Sequence, residues 1–310
     1  MFYICTNLKR LASYKAVVIK FVLTTMLLLV SASSFGQRHE LGVRMGMSNL
    51  VGDIGRTNYI LQKPIMDKIS EHGLPFYAGI LYRLNFNPHQ TLRFDFGYSH
   101  VQFDDRYAKE QYRRNRKLWG TNSGVELDAI FEYYFFPVNE EQRGMLSPYI
   151  FGGIGGMFAN VNKVVFYNEF KQVGGEYREP DLPEDFTTTP EIETGSKLIM
   201  SIPFGAGLKY KFNYNWALSG EFMFRPMFSD AIDYSVIDEK DVKMVYSKEI
   251  LQTGKNQSYL NQDPYKQVAK DRADAYLESI NIGNKNSNDW VNSVTLSLTY
   301  SFGRPPCYCE

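Results

Sequence analysis

The sequence predicts an all-β protein, an eight-stranded antiparallel up-and-down outer-membrane β-barrel with long extracellular loops. Three observations predict this fold. Apolar and polar residues alternate with a period of two in eight segments, which places one set of side chains on each face of a strand. The connections between the segments are alternately short and long, as in bacterial barrels. Aromatic residues form 15% of the chain, and within the segments they cluster near the ends.

Residues 1–36 precede the alternating pattern and have the features of a secretory signal peptide. A basic leader runs into the apolar stretch 21–30, and small residues follow up to Gly36. The apolar stretch is too short to span about 30 Å of hydrocarbon, so a signal peptide is favoured over an anchor. Cys5 would leave with this peptide. The remaining chain is net acidic, which predicts no surface for nucleic acid.

The first four alternating segments are residues 41–48, 78–86, 93–99 and 125–135. In the fourth, Leu127, Ala129 and Phe131 face away from Glu126 and Asp128. No other apolar run is long enough for a transmembrane helix. A chain that stays in the membrane must then do so as a closed barrel, because only helices and barrels satisfy every backbone group in lipid.

The last four segments are residues 147–159, 202–212, 216–225 and 294–302. The fifth segment is rich in glycine, so its faces cannot be assigned from the pattern. The eighth alternates without an error from Val294 to Phe302. Gly303 and the two prolines after Arg304 then stop the strand, since proline has no N–H for a ladder. The predicted barrel therefore covers residues 37–303.

The polar faces carry a nearly balanced set of charges. In a soluble β-sandwich, the alternative fold, the polar face is the outside and its charges need not balance. In a membrane barrel the polar face fills a narrow interior, where an unpaired charge is costly. We therefore expect an interior polar network of Arg44, Arg83, Arg93, Asp95, Glu126, Asp128, Glu132, Lys209, Lys211, Glu221 and Arg225.

The connections support the barrel better than the charges do. Short connections lie around residues 87–91, 137–146 and 213–215, and we expect long loops at residues 49–75, 100–119, 160–197 and 229–289. Short turns belong in the periplasm and long loops outside. Eight strands also leave an interior that side chains fill, without a channel. Aromatic residues expected at the membrane interfaces are Tyr82, Phe86, Tyr98, Tyr133, Phe135, Tyr210, Phe212, Trp216, Tyr300 and Phe302.

Three stretches resemble a known family. They are "ELGVRMGMSNLVGDIG" (40–55), "RRNRKLWGTNSGVELDAIFEYYFF" (113–136) and "IPFGAGLKYKFNYNWALSGEFMFRPMFSD" (202–230). They are similar to the PorG-like outer-membrane barrels of the Bacteroidota type IX secretion system. The resemblance implies a non-enzymatic component of the secretion and gliding machinery that ties a periplasmic lipoprotein ring to the outer membrane. A paralogue with another role, an outer-membrane lipid-modifying enzyme and a surface adhesin or receptor are the alternatives.

Catalytic, metal and cofactor sites are not expected. His100 follows Ser99, but neighbouring residues on a strand point to opposite faces, which argues against a Ser–His pair. The acidic stretch 230–241 has no EF-hand spacing and is interpreted as a solvated loop. Residues 263–280 have apolar side chains at helical spacing and predict a short helix in the last long loop.

The tail, residues 304–310, carries Cys307, Tyr308 and Cys309. With eight strands it would emerge in the periplasm together with the start of the first strand. A disulfide between two cysteines one residue apart would be strained. We therefore expect one of them to cross-link to, or the tail to dock on, the periplasmic ring lipoprotein.

Overall fold

The structure, a computed structural model, describes residues 38–60, 62–67, 69–139, 144–170, 186–246, 264–284 and 287–303. The predicted signal peptide (1–36) and the tail (304–310) lie outside the described residues. Among the residues that are described, no helix has both the length and the apolarity needed to cross a bilayer.

Strands dominate the described residues. They are β1 (Arg38–Val51), β2 (Phe76–Asn85), β3 (Gln90–Asp104), β4 (Trp119–Tyr134), β5 (Met145–Phe170), β6 (Phe186–Ser201), β7 (Phe204–Lys211), β8 (Trp216–Phe224), β9 (Val242–Tyr246) and β10 (Trp290–Phe302). The helices are α1 (Ile69–His72), α2 (Gln111–Arg116) and α3 (Pro264–Ile280), with 3-10 turns at Asp105–Tyr107 and Glu239–Asp241.

The strands close into a ring. Their order is β4-β3-β2-β1-β10-β8-β7-β5, and β5 pairs with β4 to complete the circle. All these pairings are antiparallel. β6 and β7 pair one after the other with the same edge of β5, interrupted only at Ile202 and Pro203. They therefore share one position, and the ring has eight positions, as the alternation predicts.

The two ends of the barrel differ. The short connections join β2 to β3, β4 to β5 and β7 to β8. They lie at the end where β1 begins and β10 finishes, with His39 opposite Phe302. We call this the turn end. The opposite end, reached by Val51 of β1 and Trp290 of β10, is called the loop end.

At the loop end the strands extend further than the alternation indicates. β3 runs to Asp104, and β5 and β6 pair from Gly155–Ser201 up to Phe170–Phe186. The expectation of loops throughout 100–119 and 160–197 is therefore wrong. Beyond the membrane both faces of a hairpin meet water or other loops, so its sequence need not alternate.

A small subdomain covers part of the extended hairpin. β9 pairs with β5 in parallel. The predicted helix is present as α3, and its Ala269 and Ala273 are buried. Ala273 belongs to an apolar cluster with Val164, Phe166 and Ile237. This packing holds the last long connection against β5.

Compared with a soluble protein, the barrel has its apolar side chains on the outside and its charged side chains on the inside. Leu127 and Leu296, on the outer face, are 63% and 64% exposed, whereas Arg44 and Arg93, on the inner face, are 0% exposed. An apolar belt of this kind is stable only against lipid. The soluble sandwich is thereby excluded, and the chain is a membrane-spanning barrel of the outer-membrane type.

Aromatic residues lie at both boundaries of the belt. At the turn end, Trp216 packs edge-on against Tyr300, with ring centroids 5.1 Å apart. At the loop end, Tyr59 packs edge-on against Trp290 at 5.3 Å. Aromatic rings are favoured at lipid–water interfaces because one part is apolar and another polar. The two sets mark the membrane boundaries.

A charge placed on the belt should destabilise the barrel. Leu127 lies near the middle of β4 and faces outward. We expect Leu127→Arg to lower the free energy of unfolding by about 2–4 kcal/mol, the cost of a cation near the bilayer midplane. Urea titration in lipid vesicles, followed by tryptophan fluorescence, measures this change. Leu127→Val is the matched control, and equal midpoints for the two variants would contradict lipid exposure of this position.

Candidate functional site

The interior of the ring is filled with charged side chains. We call the set defined here the interior ion network. All eleven residues considered from the sequence are buried inside the ring. A twelfth, Glu40, is also buried there. The alternating segment predicted from Leu41 onward does not include this residue, although residue 40 is in phase with residues 42 and 44. With Glu40 the network has six cations and six carboxylates.

The group nearest the turn end is built around Arg83. Its Nε lies 2.9 Å from Glu132 Oε2, and its Nη1 lies 3.7 Å from Glu40 Oε2. Lys209 Nζ donates to Glu40 Oε1 at 2.8 Å. The Tyr134 hydroxyl donates to Glu132. Strands β1, β2, β4 and β7 are connected across the lumen by these contacts.

The central group is built around Arg93 and Arg44. Arg93 Nη1 lies 2.5 Å from Glu132 Oε1 and 2.8 Å from Glu221 Oε2, and its Nε lies 3.0 Å from Asp95 Oδ2. Arg44 donates to both Asp95 and Glu221. Glu221 therefore accepts from two guanidinium groups, and both arginines share their carboxylates.

The group nearest the loop end is built around Arg225. Its Nη2 lies 2.7 Å from Glu126 Oε2, and its Nε lies 3.3 Å from Asp128 Oδ2. The Tyr77 ring lies between two guanidinium groups, 5.4 Å from Arg225 and 5.0 Å from Arg44. Cation–π contact in a dry interior adds to the ion pairs. Lys211, the remaining member, is buried at the turn end of β7.

Glycines on the inner face make room for the large side chains. A Cβ atom on Gly97 would lie 2.3 Å from the Tyr77 hydroxyl oxygen. A Cβ atom on Gly207 would lie 2.6 Å from Tyr149 Cζ. In each case a ring from a neighbouring strand lies directly over glycine backbone, a packing that specifies register in barrels. No other residue type fits these two positions without displacing the ring.

Two apolar clusters fill space around the ion network, one at the loop end and one among the network side chains along β4, β5 and β8. The cluster at the loop end contains Leu50, Ile54, Val101, Phe103, Met157, Ala159, Val161, Ile199, Met227, Ala231, Ile232 and Val291. The second cluster contains Ile130, Tyr134, Val138, Tyr149, Phe151 and Met223. Residues 227–232 do not belong to a strand of the ring, so the connection after β8 folds into the mouth of the barrel and plugs it.

The residues weighed for catalysis are not brought together. His100 Nδ1 lies 2.7 Å from Ser123 Oγ, and its Nε2 lies 2.8 Å from the His72 carbonyl oxygen. Ser99 instead turns into the lumen, where its hydroxyl donates to Glu126. Asp104 pairs with Arg106. Opposite faces of β3 therefore separate Ser99 from His100.

The acidic stretch 230–241 is only partly solvated, so its interpretation as a solvated loop is wrong for two residues. Asp238 and Asp241 pair with Lys197 of β6. Asp230 and Asp233 are buried at the loop end. In the described part of the chain, no three His, Cys, Asp or Glu side chains converge closely enough to hold a metal ion.

The model of a domain family of unknown function, DUF6089, matches residues 19–179 and 265–310. The chain belongs to this family. No curated protein matches the sequence significantly. Strands β6 to β9 lie between the two matched stretches.

Solved outer-membrane barrels are similar in fold. The N-terminal β-barrel domain of Pseudomonas aeruginosa OprF is 10% identical with a TM-score of 0.34, over 86% of this chain and 98% of that one. Ail, the attachment invasion locus protein of Yersinia pestis, was solved with the heparin analogue sucrose octasulfate. It is 13% identical with a TM-score of 0.36, over 86% and 99% of the chains. OprG of Pseudomonas aeruginosa is 9% identical with a TM-score of 0.33, over 87% and 97%.

Removing one carboxylate from the network should be costly. Glu221→Gln leaves Arg44 and Arg93 buried with one anion fewer between them. We expect the free energy of unfolding to fall by about 3–5 kcal/mol, because the uncompensated charge stays in the low-dielectric interior. Urea titration in detergent micelles measures the change. Glu239→Gln, on the exposed loop surface, is the matched control. Equal midpoints for the two variants would show that the network does not stabilise the barrel.

Proposed function

We propose that the protein is a non-enzymatic outer-membrane component of the type IX protein secretion and gliding machinery, which docks the periplasmic lipoprotein ring. The observation that carries this proposal is the filled lumen, in which ion pairs and two apolar clusters occupy the space inside the ring. A barrel filled in this way is suited to anchoring rather than to transport through its centre. The sequence resemblance to PorG-like barrels is the reason for proposing the type IX secretion system in particular.

The proposed orientation places the turn end in the periplasm and the loop end outside the cell. This orientation is supported by the short turns at one end and the long hairpin of β5 and β6 at the other. In outer-membrane barrels the short turns are periplasmic and the long loops are extracellular. β10 finishes at the turn end, so the tail that follows it would lie on the side of the ring lipoprotein. Outer-membrane lipid would contact the apolar belt.

The proposed contact with the ring is the tail. Cys307, Tyr308 and Cys309 follow the strand stop at Pro305 and Pro306. A thiol in an oxidising compartment is readily converted to a disulfide with a partner. We propose that Cys307 or Cys309 forms such a bond to the lipoprotein, or that the tail docks on it without a bond.

A second candidate function is that of a surface adhesin or receptor. The observation that favours it is the β5–β6 hairpin, which extends beyond the ring and carries β9 and α3. A structured surface of this size is more than closure of a barrel requires. A lipid-modifying enzyme receives less support, because His100 and Ser99 are on opposite faces.

Purification from native envelopes in mild detergent tests the proposal. We expect the ring lipoprotein, identified by mass spectrometry, to copurify with the barrel. On non-reducing gels the wild type should form a higher-mass band that disappears on reduction, and the Cys307→Ser/Cys309→Ser variant should not form it. Cys5→Ser, in the predicted signal peptide, is the matched control and should behave as the wild type.

The two parts of the proposal can fail separately. If both thiols are alkylated in native envelopes and reduction leaves the mobility unchanged, the disulfide is wrong but docking stands. If the lipoprotein is absent from wild-type preparations, even after chemical cross-linking, the scaffold function is wrong. Loss of binding to a host or surface ligand on deletion of the hairpin would then favour the adhesin.

A further inference from the structure

Three carboxyl groups are buried at the loop end, in the plug and beside it. Asp230 and Asp233 are in the connection after β8, and Asp289 immediately precedes β10. Their exposed fractions are 6%, 0% and 0%. In the described residues, none of the three has a basic group within ion-pair distance, in contrast to every carboxylate of the interior ion network. Such groups cannot all be ionised in a dry interior.

Asp289 connects the plug to the barrel. Its side-chain Oδ2 accepts from the backbone N–H groups of Ile232 at 2.9 Å and of Asp233 at 3.3 Å. Its backbone N–H donates to the Ser229 carbonyl, and its carbonyl accepts from Met227 N–H. One residue therefore holds residues 227–233 through four hydrogen bonds.

Asp233 connects the plug to the end of β1. Its Oδ2 accepts from Ile54 N–H at 2.8 Å, and its Oδ1 accepts from Ser235 N–H at 2.9 Å. A Cβ atom on Gly52 would lie 2.6 Å from Asp233 Oδ2 and 2.3 Å from Asp289 Oδ1. Both oxygens therefore lie on the same side of Gly52, over its bare backbone. Both are acceptors when ionised, and Asp289 Oδ1 has no hydrogen-bond donor in the described residues.

We propose that Asp230, Asp233 and Asp289 form a protonation-dependent latch that holds the plug, residues 229–237, in the mouth of the barrel. In the latched state a proton on one carboxyl lets it donate to its neighbour across Gly52. Loss of that proton leaves facing carboxylates that repel each other. The plug is then released from the end of β1, and the buried Ala231 and Ile232 become accessible.

The described charged groups around the plug have partners on neighbouring elements. Asp53, after β1, approaches Arg113 of α2, with 4.0 Å between Oδ1 and Nη2, and its carbonyl accepts from Arg116. Asp238 is paired with Lys197 of β6. Among the described residues, Arg113, Arg116 and Lys197 are therefore engaged with Asp53, Asp105, Asp238 and Asp241. Protons remain as the neutralising species, since the described carboxylates do not converge as metal ligands.

The pKa of each of the three carboxyl groups is raised above its usual value. Burial, followed by the carboxylates of Asp53 and Asp233, raises the pKa of Asp230 to about 8. Burial and the carboxylates of Asp233 and Asp230 raise the pKa of Asp289. Burial also raises the pKa of Asp233 against its hydrogen bonds. Because the pKa of Asp230 is higher in the latched state than in the released state, protonation stabilises the latched plug at low pH. This stabilisation of the latched plug is lost as the pH rises toward about 8.

Hydrogen exchange of the plug tests the latch. Full-length barrel in detergent with EDTA is compared with Asp289→Asn at each pH from 5 to 9, so that the intrinsic pH dependence of exchange cancels. The amide at position 289 keeps an acceptor for Ile232 N–H and supplies a permanent donor. We expect equal exchange at pH 5 and about tenfold faster opening of residues 229–237 in the wild type at pH 9. Glu239→Gln is the control and should follow the wild type.

Further measurements keep the test decisive if one variant folds poorly. Asp230→Asn should also reduce the pH response, and Gly52→Ala should open the plug at every pH. Parallel exchange of the wild type, Asp289→Asn and Asp230→Asn across the range would overturn the proposal. So would protection of the wild type, but not of Asp289→Asn, by calcium chloride at pH 9, because a cation would then be the neutralising species.

Discussion

The charge balance of the lumen is the constraint on which the rest of the molecule depends. Six cations and six carboxylates are buried inside one ring of strands. Each arginine in the centre contacts carboxylates from several strands, so the register of every strand pair affects the same set of contacts. A one-residue slip would move a charge to the lipid face and an apolar residue into the network. The network therefore specifies register as well as filling space.

The polar interior and the apolar belt depend on the same alternation. Where β4 turns Glu126, Asp128 and Glu132 inward, it turns Leu127 and Phe131 toward lipid. Lipid imposes this arrangement because an outward charge has no water to solvate it. Glycines on the inner face make room for large side chains in this arrangement. Gly97 and Gly207 allow Tyr77 and Tyr149 to lie along the inner wall beside charged groups, and their hydroxyls and rings supply further polar contacts.

The parts of the fold that lipid constrains could be predicted from the sequence. The eight ring strands could be predicted because each must alternate over its membrane span. β9 and most of β6 could not, because they lie beyond that span, where the sequence need not alternate. Only the end of β6, where Leu198 and Met200 face outward, lies at the level of the belt. Glu40 was recoverable, since its phase matches Arg44, but an acidic residue before the first apolar one resembles a loop. The sequence pattern predicts that Asp230 and Asp233 face solvent, because acidic residues in loops are ordinarily exposed. Their burial depends on Asp289, 50 residues or more further along the chain, which local pattern cannot reveal.

The distribution of chemistry along the barrel axis indicates where interaction with other molecules must occur. The centre is neutralised within itself, because its carboxylates and guanidinium groups are paired with one another. The belt presents only apolar side chains to lipid. What remains for partners is the two ends, and they differ. The turn end is compact, with short connections and the finish of β10, whereas the loop end carries a plug, a hairpin and a helix. Within the described residues the lumen is filled from the ion network to the loop end, and this is the property that the proposed anchor requires.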